Sequence, residues 1–248
     1  MSKGVLHLIM PMGGAGSRFF NNGYLTPKPL IDINGKPFLY WATRSIQKHI
    51  DLADITFVVL NQHINDFEID KIILKYFSEA NIINVDFEEV KEGPVLTCLA
   101  GVRDITDNQP ILFNDCDHMF KCKSLIEDAN AGNWNFDGGL LTFESTLPQY
   151  SYIKYNQGKI TGTVEKEVVS NSAICGAYIF RNKQLFNAMA EEYFHVCNYK
   201  EYFVSGIYNV MCQRGMVIKN YKTDFHVPFG TPEEYQIAQT SSYFEELL

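Results

Sequence analysis

The chain has 248 residues, 46% hydrophobic and 14% aromatic, which suits a folded domain with a full core and argues against a disordered protein. Its 21 basic and 29 acidic residues leave a net charge of -8, which argues against binding nucleic acid or anionic membrane through bulk charge. A phosphorylated small molecule, held by a few local cations, stays open.

The first apolar run, "VLHLIM" (5–10), predicts a buried strand. It is too short before Pro11 for a signal peptide, and no apolar run is long enough to span a membrane, so a cytoplasmic location is expected. The stretch "PMGGAGSRFFNNGYLTPKPL" (11–30) follows, a glycine-rich loop with two cations. Such a loop after a strand brings backbone N–H groups close to an anion. It lacks the third glycine of a dinucleotide fingerprint and the G-K-[ST] of a P-loop. Gly13, Gly14 and Gly16 permit a close wrap, Arg18 offers a planar donor fork, and Lys28 is held extended between Pro27 and Pro29.

Further along, "ITFVVL" (55–60), "IINVDF" (82–87) and "PILFN" (110–114) predict strands, with helices near 37–49, 66–79, 94–103 and 122–131. This alternation predicts an α/β fold: a mostly parallel central sheet flanked by helices in three layers, with ligands at the carboxyl ends of the strands. "KEGPVLTCLAG" (91–101) begins a helix at Gly93-Pro94, whose free N–H groups suit a nucleobase or phosphate, with Thr97 one turn in; plain helix capping explains it equally well. In "LFNDCDHMF" (112–120), Asp115 and Asp117 form a D-x-D whose side chains point the same way if extended, able to share a hard cation such as Mg2+. A turn cap accounts for the same pair.

Past residue 138 the rhythm changes to a mixed β region. "GGLLTFE" (138–144), "YIKYNQGKITGTVEK" (152–166) and "AICGAYIF" (173–180) predict strands, with a hairpin at Asn156-Gln157-Gly158. Glu165-Lys166 followed by Gly176 suits an acceptor substrate approaching closely, although a solvated Glu-Lys pair is the commoner reading. Helices near 183–195 and 200–213, a strand "MVIKNY", and a helix behind Thr231 with Pro232 in its first turn close the chain. The six cysteines (98, 116, 122, 175, 197 and 212) form no C-x-x-C, so they are expected to be reduced and mostly buried.

Taken in order, these motifs resemble the sugar-phosphate nucleotidyltransferases, enzymes of GT-A-like fold. "GGAGSRF" with "TPKPLIDINGKP" is the specific part of the match, which spans nearly the whole chain as one catalytic domain over 1–248. The resemblance implies an NTP whose phosphates rest on Met12, Gly13, Gly14, Ala15, Gly16 and Ser17, with Arg18 and Lys28 as catalytic cations. It implies Glu92, Gly93 and Thr97 at the base, Asp117 on Mg2+, and Glu165, Lys166 and Gly176 at a phosphorylated acceptor. One departure stands out. Where many members carry a metal-binding Asp two residues before the Gly of "GTP", this chain has Pro228, so Asp115 or Asp224 is expected to substitute.

A narrower likeness, carried by "NDCDHMF" and "FHVPFGTPEEY", is to small cytidylyltransferases of bacterial capsule and surface-polysaccharide biosynthesis, including the class that forms CDP-glutamine. It favours CTP, with a sugar phosphate or a phosphorylated amino acid as acceptor. A metal-dependent glycosyltransferase and a non-catalytic NTP-binding regulator are the alternatives, and a homodimer is one assembly open to the chain.

Overall fold

The computed structural model describes residues 5–248. Strand β1 (His7–Met12) is buried on both faces, as a central parallel strand must be. Helix α1 (Ser17–Phe20), a 3-10 turn at Lys28–Leu30, and the short strands β2 (Asp32–Ile33) and β3 (Lys36–Pro37) carry the loop to α2 (Phe38–Gln47). Then come β4 (Asp54–Leu60), α3 (Asn61–Phe67), α4 (Ile69–Tyr76), β5 (Asn81–Val85), α5 (Phe87–Val90), α6 (Pro94–Val102) and β6 (Ile111–Asn114). The second half holds β7 (His118–Lys121), α7 (Lys123–Ala131), β8 (Gly138–Glu144), β9 (Ser151–Asn156), β10 (Lys159–Glu165) and β11 (Ser172–Phe180). It ends with α8 (Lys183–Val196), α9 (Val204–Gln213), β12 (Ile218–Lys222), β13 (Phe225–Pro228), α10 (Pro232–Ala238) and α11 (Tyr243–Leu247).

The expected α/β architecture is present. Strands β5, β4, β1 and β6 lie side by side in parallel, and β12 is parallel to β8. Strand β11 runs antiparallel to both β6 and β8 and joins the two parts. One face is covered by α2, α4 and α7 through Leu39, Ile46, Ile69, Ile73 and Leu125. The other is covered by α6, α8 and α9 through Val95, Cys98, Phe186, Ala190 and Ile207. Phe19, Phe38, Trp41, Met119, Phe229 and Phe244 form a third apolar cluster.

The sheet forks at β11. Its residues Ala177–Phe180 pair with β6, whereas Ala173 and Ile174 pair with β9. The ladder to β8 shifts register between Ile174 and Tyr178. Gly176 lies within that shift at φ 88, a conformation that L side chains rarely adopt. The carboxyl end of β6 lies against this fork, with Asn114 paired to Ala177 and the next residue, Asp115, bonded to the Gly176 carbonyl.

Two expectations are corrected. The helix placed at 66–79 is two helices, because Glu68 turns left-handed at φ 51 between α3 and α4. The strand placed at 82–87 stops at Val85, because Asp86 and Glu89 form a capping box that starts α5. The antiparallel ribbon of β7 with β13 is a further feature that local periodicity did not predict. The cap at Thr231 is as expected, with Glu234 completing its capping box.

Candidate active site

The loop after β1 and the turn after β6 face each other across a cleft of about 670 Å³. A second depression of about 600 Å³, lined by residues 47–55 and 76–80, lies at the opposite pole where β1 and β4 begin. The chemistry-bearing residues converge on the first, at the carboxyl ends of the strands, the usual ligand position in open α/β sheets.

Each wall is built by close packing. A Cβ on Gly13 would lie 2.7 Å from Thr97 Oγ1, so the glycine lets the loop settle against α6. Gly16 turns left-handed (φ 62) to start α1, which leaves Arg18 exposed at the cleft rim. Lys28 opens its 3-10 turn behind Pro27 and reaches across to Asp117, Nζ to Oδ2 at 2.8 Å. Burial alone would lower the Lys28 pKa, but the charge and hydrogen bond of Asp117, with the nearby Cys116 and Asp115, together outweigh it and hold the ammonium above its ordinary range.

Asp115 and Asp117 stand on a turn rather than on an extended strand, yet both line the cleft. The Asp115 N–H donates to the Gly176 carbonyl at 2.9 Å. A Cβ on Gly176 would lie 2.5 Å from Asp115 Oδ2, and one on Gly230 would lie 2.6 Å from Asp117 Oδ2. These two glycines make room for the two carboxylates. Burial and the Asp117 charge push the Asp115 carboxyl up to about 7. Burial acts on Asp117 in the same direction, but the charge and hydrogen bond of Lys28 win and hold it below 3.8. One ammonium cannot neutralise both carboxylates.

Asp115 makes the stability of the protein depend on pH. Its folded value of about 7 lies above the ordinary 3.8, so the native state binds the extra proton between those values. The ligand-free protein therefore loses stability as pH rises from about 4 to about 7. Asp115→Asn flattens this component in urea unfolding across the range. A slope unchanged in the variant contradicts the assignment.

On the acceptor side, Glu165 Oε1 accepts hydrogen bonds from the Ser151 hydroxyl at 2.5 Å and from the Ser205 hydroxyl. Lys166 is left-handed at φ 56, an uncommon state for a side-chain-bearing residue, and its Nζ sits 5.3 Å from the Phe203 ring centre. Gln149 donates to Glu234 Oε1 at 2.7 Å, and the Tyr150 hydroxyl shares that oxygen. Glu234 Oε2 accepts from the N–H groups of Gly230 and Thr231. The start of α10 is thereby tied to the cleft wall beside Asp117.

No family model matches the sequence, and no curated protein matches it. A nucleoside-diphosphate-sugar pyrophosphorylase from Vibrio cholerae RC9 is similar in structure at TM-score 0.79 and 21% identity, over 94% of this chain and 100% of that one. An inositol-1-phosphate CTP transferase from T. maritima superposes at TM-score 0.72 and 14% identity, over 99% and 95% of the two chains. A UDP-glucose pyrophosphorylase complexed with UDP-glucose gives 0.74 and 17%, over 98% and 99%. The chain shares the fold of these proteins.

Of the residues singled out in the sequence, Met12 to Arg18, Lys28, Gly93, Thr97, Asp115, Asp117, Glu165, Lys166 and Gly176 all line the cleft. Two do not. Asp224 lies beyond the far end of the β7–β13 ribbon, where its carboxylate accepts the Lys123 N–H at 2.6 Å at the start of α7. Glu92 is exposed and off the cleft wall, its carbonyl accepting the Tyr202 N–H at 2.8 Å. The free donors expected at the start of α6 are also partly taken, since the Val95 N–H donates to the Tyr202 carbonyl at 3.1 Å. Gly93 is required there by packing, because a Cβ would run into the backbone nitrogen of Tyr202. Sequence reasoning missed Gln149, Tyr150, Glu234, His118, Cys175 and His226, all of which line the cleft. Only the capping pattern T-x-x-E pointed toward Glu234.

Proposed function

We propose that the chain is a nucleotidyltransferase. It moves the NMP group of an NTP, CTP in preference, onto a phosphorylated small molecule and releases pyrophosphate. The observation that carries this reading is the Lys28–Asp117 pair at 2.8 Å, set between a glycine loop and a second, half-buried carboxylate, Asp115. The fold shared with pyrophosphorylases and a CTP transferase supports it.

The chemistry asks for positioning and charge. An oxygen of the acceptor phosphate attacks the α-phosphorus in line, the bond from that phosphorus to the bridging oxygen breaks, and pyrophosphate leaves. The nucleophile is already ionised near neutral pH, so no general base is required. The loop from Gly13 to Ser17 offers N–H groups to the phosphates, and Arg18 stands at the rim as a planar fork. The Lys28 ammonium has three N–H donors; one serves Asp117 and the others are free to turn to the α-phosphoryl group and the leaving oxygens.

Asp115 and Asp117 fit a hard divalent cation, since two neighbouring carboxylates share a single ammonium and one of them is driven toward neutrality. Mg2+ bound by them would neutralise phosphate charge. Pro228 supplies no carboxylate, and Asp115 takes that part. Glu165, fixed by two serines, and Lys166 address the acceptor, which is a sugar phosphate or a phosphorylated amino acid such as L-glutamine phosphate in surface-polysaccharide precursor synthesis.

Thermal unfolding with CTP, UTP, dTTP, GTP, ATP, NAD or a nucleotide sugar, each with Mg2+, tests the nucleotide half of this reading. CTP at ~100 times its dissociation constant adds about 2.7 kcal/mol of stability, and Arg18→Ala removes most of the shift. Stabilisation by NAD or a nucleotide sugar and by no NTP would overturn it.

A further inference from the structure

Beside the two carboxylates, on the same cleft wall, lies a group of different chemistry. His118 opens β7, and His226 is in β13; the pairing Phe120 with His226 and Pro228 with His118 puts both histidines on one face of the ribbon. That face meets the sheet at the fork, where Cys175 precedes Gly176. A nitrogen of each imidazole and the Cys175 sulfur lie within 4.8 Å of one another. The imidazole centres are 5.3 Å apart, and Phe143 packs 4.2 Å from the His226 ring centre.

Histidines in a core normally satisfy their ring nitrogens. Here all four are buried without a hydrogen-bond partner among the described residues. The Gly176 backbone offers the His118 ring only a weak contact, short of a well-formed hydrogen bond. Buried polar atoms left in that state are costly, so such a group beside a thiol calls for an occupant. A hydrogen-bonding core would have used the paired acceptors and donors that the neighbouring Glu234 and Glu165 clusters do use.

We propose that His118, Cys175 and His226 form a binding site for a transition-metal ion of the Zn2+ class, separate from the carboxylate pair. Two imidazole nitrogens and a sulfur suit a borderline-soft ion and are poor ligands for Mg2+, which takes oxygen. Zinc bond lengths place such ligands about 3.4–3.6 Å apart around a tetrahedral ion. The observed spread needs a closure of at most about 1.4 Å, within reach of small side-chain rotations. All three residues line the cleft, so the fourth position of the ion opens toward it. The ion would join β7, β13 and β11 at the fork and fix the floor on which Asp115 and Asp117 stand. Nothing in this assignment depends on nucleotidyl transfer.

Metal-free full-length protein titrated with Co2+ tests it, because cobalt reports its ligands in its spectrum. A single Co2+ per chain is expected, with visible bands of a four-coordinate ion and a thiolate-to-cobalt charge-transfer band. Zn2+ displaces it, and about a hundredfold excess of Mg2+ does not. Cys175→Ser removes the charge-transfer band, His226→Gln weakens binding by about tenfold or more, and Cys212→Ser, on α9, changes neither. If Cys175→Ser does not fold, the wild-type spectrum and His226→Gln still decide. Absence of the charge-transfer band in folded wild-type protein, or its persistence in folded Cys175→Ser, overturns the site.

Discussion

Lys28→Ala lowers the turnover for pyrophosphate release by ~10²-fold or more while leaving the fold intact. The size of the effect comes from where the charge sits. Lys28 is the ammonium bonded to Asp117, presented by a proline-flanked turn that packs against Gly16 of the glycine loop. Removing it leaves developing charge on the phosphoryl oxygens without its fixed counter-charge. The stability cost is smaller. The two side chains are 28% and 19% exposed, so loss of the pair costs more than the ~0–1 kcal/mol of a surface bridge and less than the ~3–5 kcal/mol of a fully buried one. The double variant Lys28→Ala/Asp117→Asn regains part of that stability, because the Asp117 carboxylate is no longer left without its ammonium, and stays inactive. Unchanged turnover in Lys28→Ala would remove the lysine from the mechanism.

Gly176→Ala gives the second large effect, a loss of activity of ~10²-fold through a residue with no chemistry of its own. Two separate constraints meet there. The backbone is at φ 88, and a Cβ would stand 2.5 Å from Asp115 Oδ2, a contact that real side chains essentially never make. The carboxylate must move, and it is tied to the same residue through the bond from the Asp115 N–H to the Gly176 carbonyl. Gly132→Ala separates the causes. Gly132 is also left-handed, at φ 65, but nothing lies within 4 Å of where its methyl group would stand, and it caps α7 away from the cleft. That variant loses stability of about 1 kcal/mol and keeps its activity. Equal activity loss in both variants would place the cause in backbone strain rather than in Asp115.

The sequence made much of this site legible because its signals are local. The glycine loop, the proline-flanked Lys28 and the D-x-D each announce themselves within a few residues, and the βα rhythm sets the carboxyl ends of β1 and β6 at a common edge. What escaped is non-local. Ribbon β7–β13 pairs four-residue strands about a hundred residues apart, too short to carry a period and too distant to signal each other. Asp224 looked available by its spacing from Pro228, but an extended strand carries it to the other end of the ribbon, where it caps α7. Gly93 read as an opening to a ligand and is instead filled by the backbone of Tyr202. Gly176, read as allowing a close approach of substrate, lines the cleft and also makes room for Asp115.

The most direct measurement is phosphorus NMR of the protein incubated with CTP, Mg2+ and a panel of phosphorylated acceptors, with sugar phosphates and L-glutamine phosphate among them. The predicted result is the pair of diphosphate resonances of a CMP–acceptor conjugate growing together with inorganic pyrophosphate, and neither appearing with Lys28→Ala. Consumption of a nucleotide sugar with no reaction of CTP, or CTP that binds and is never cleaved with any acceptor, would contradict the account.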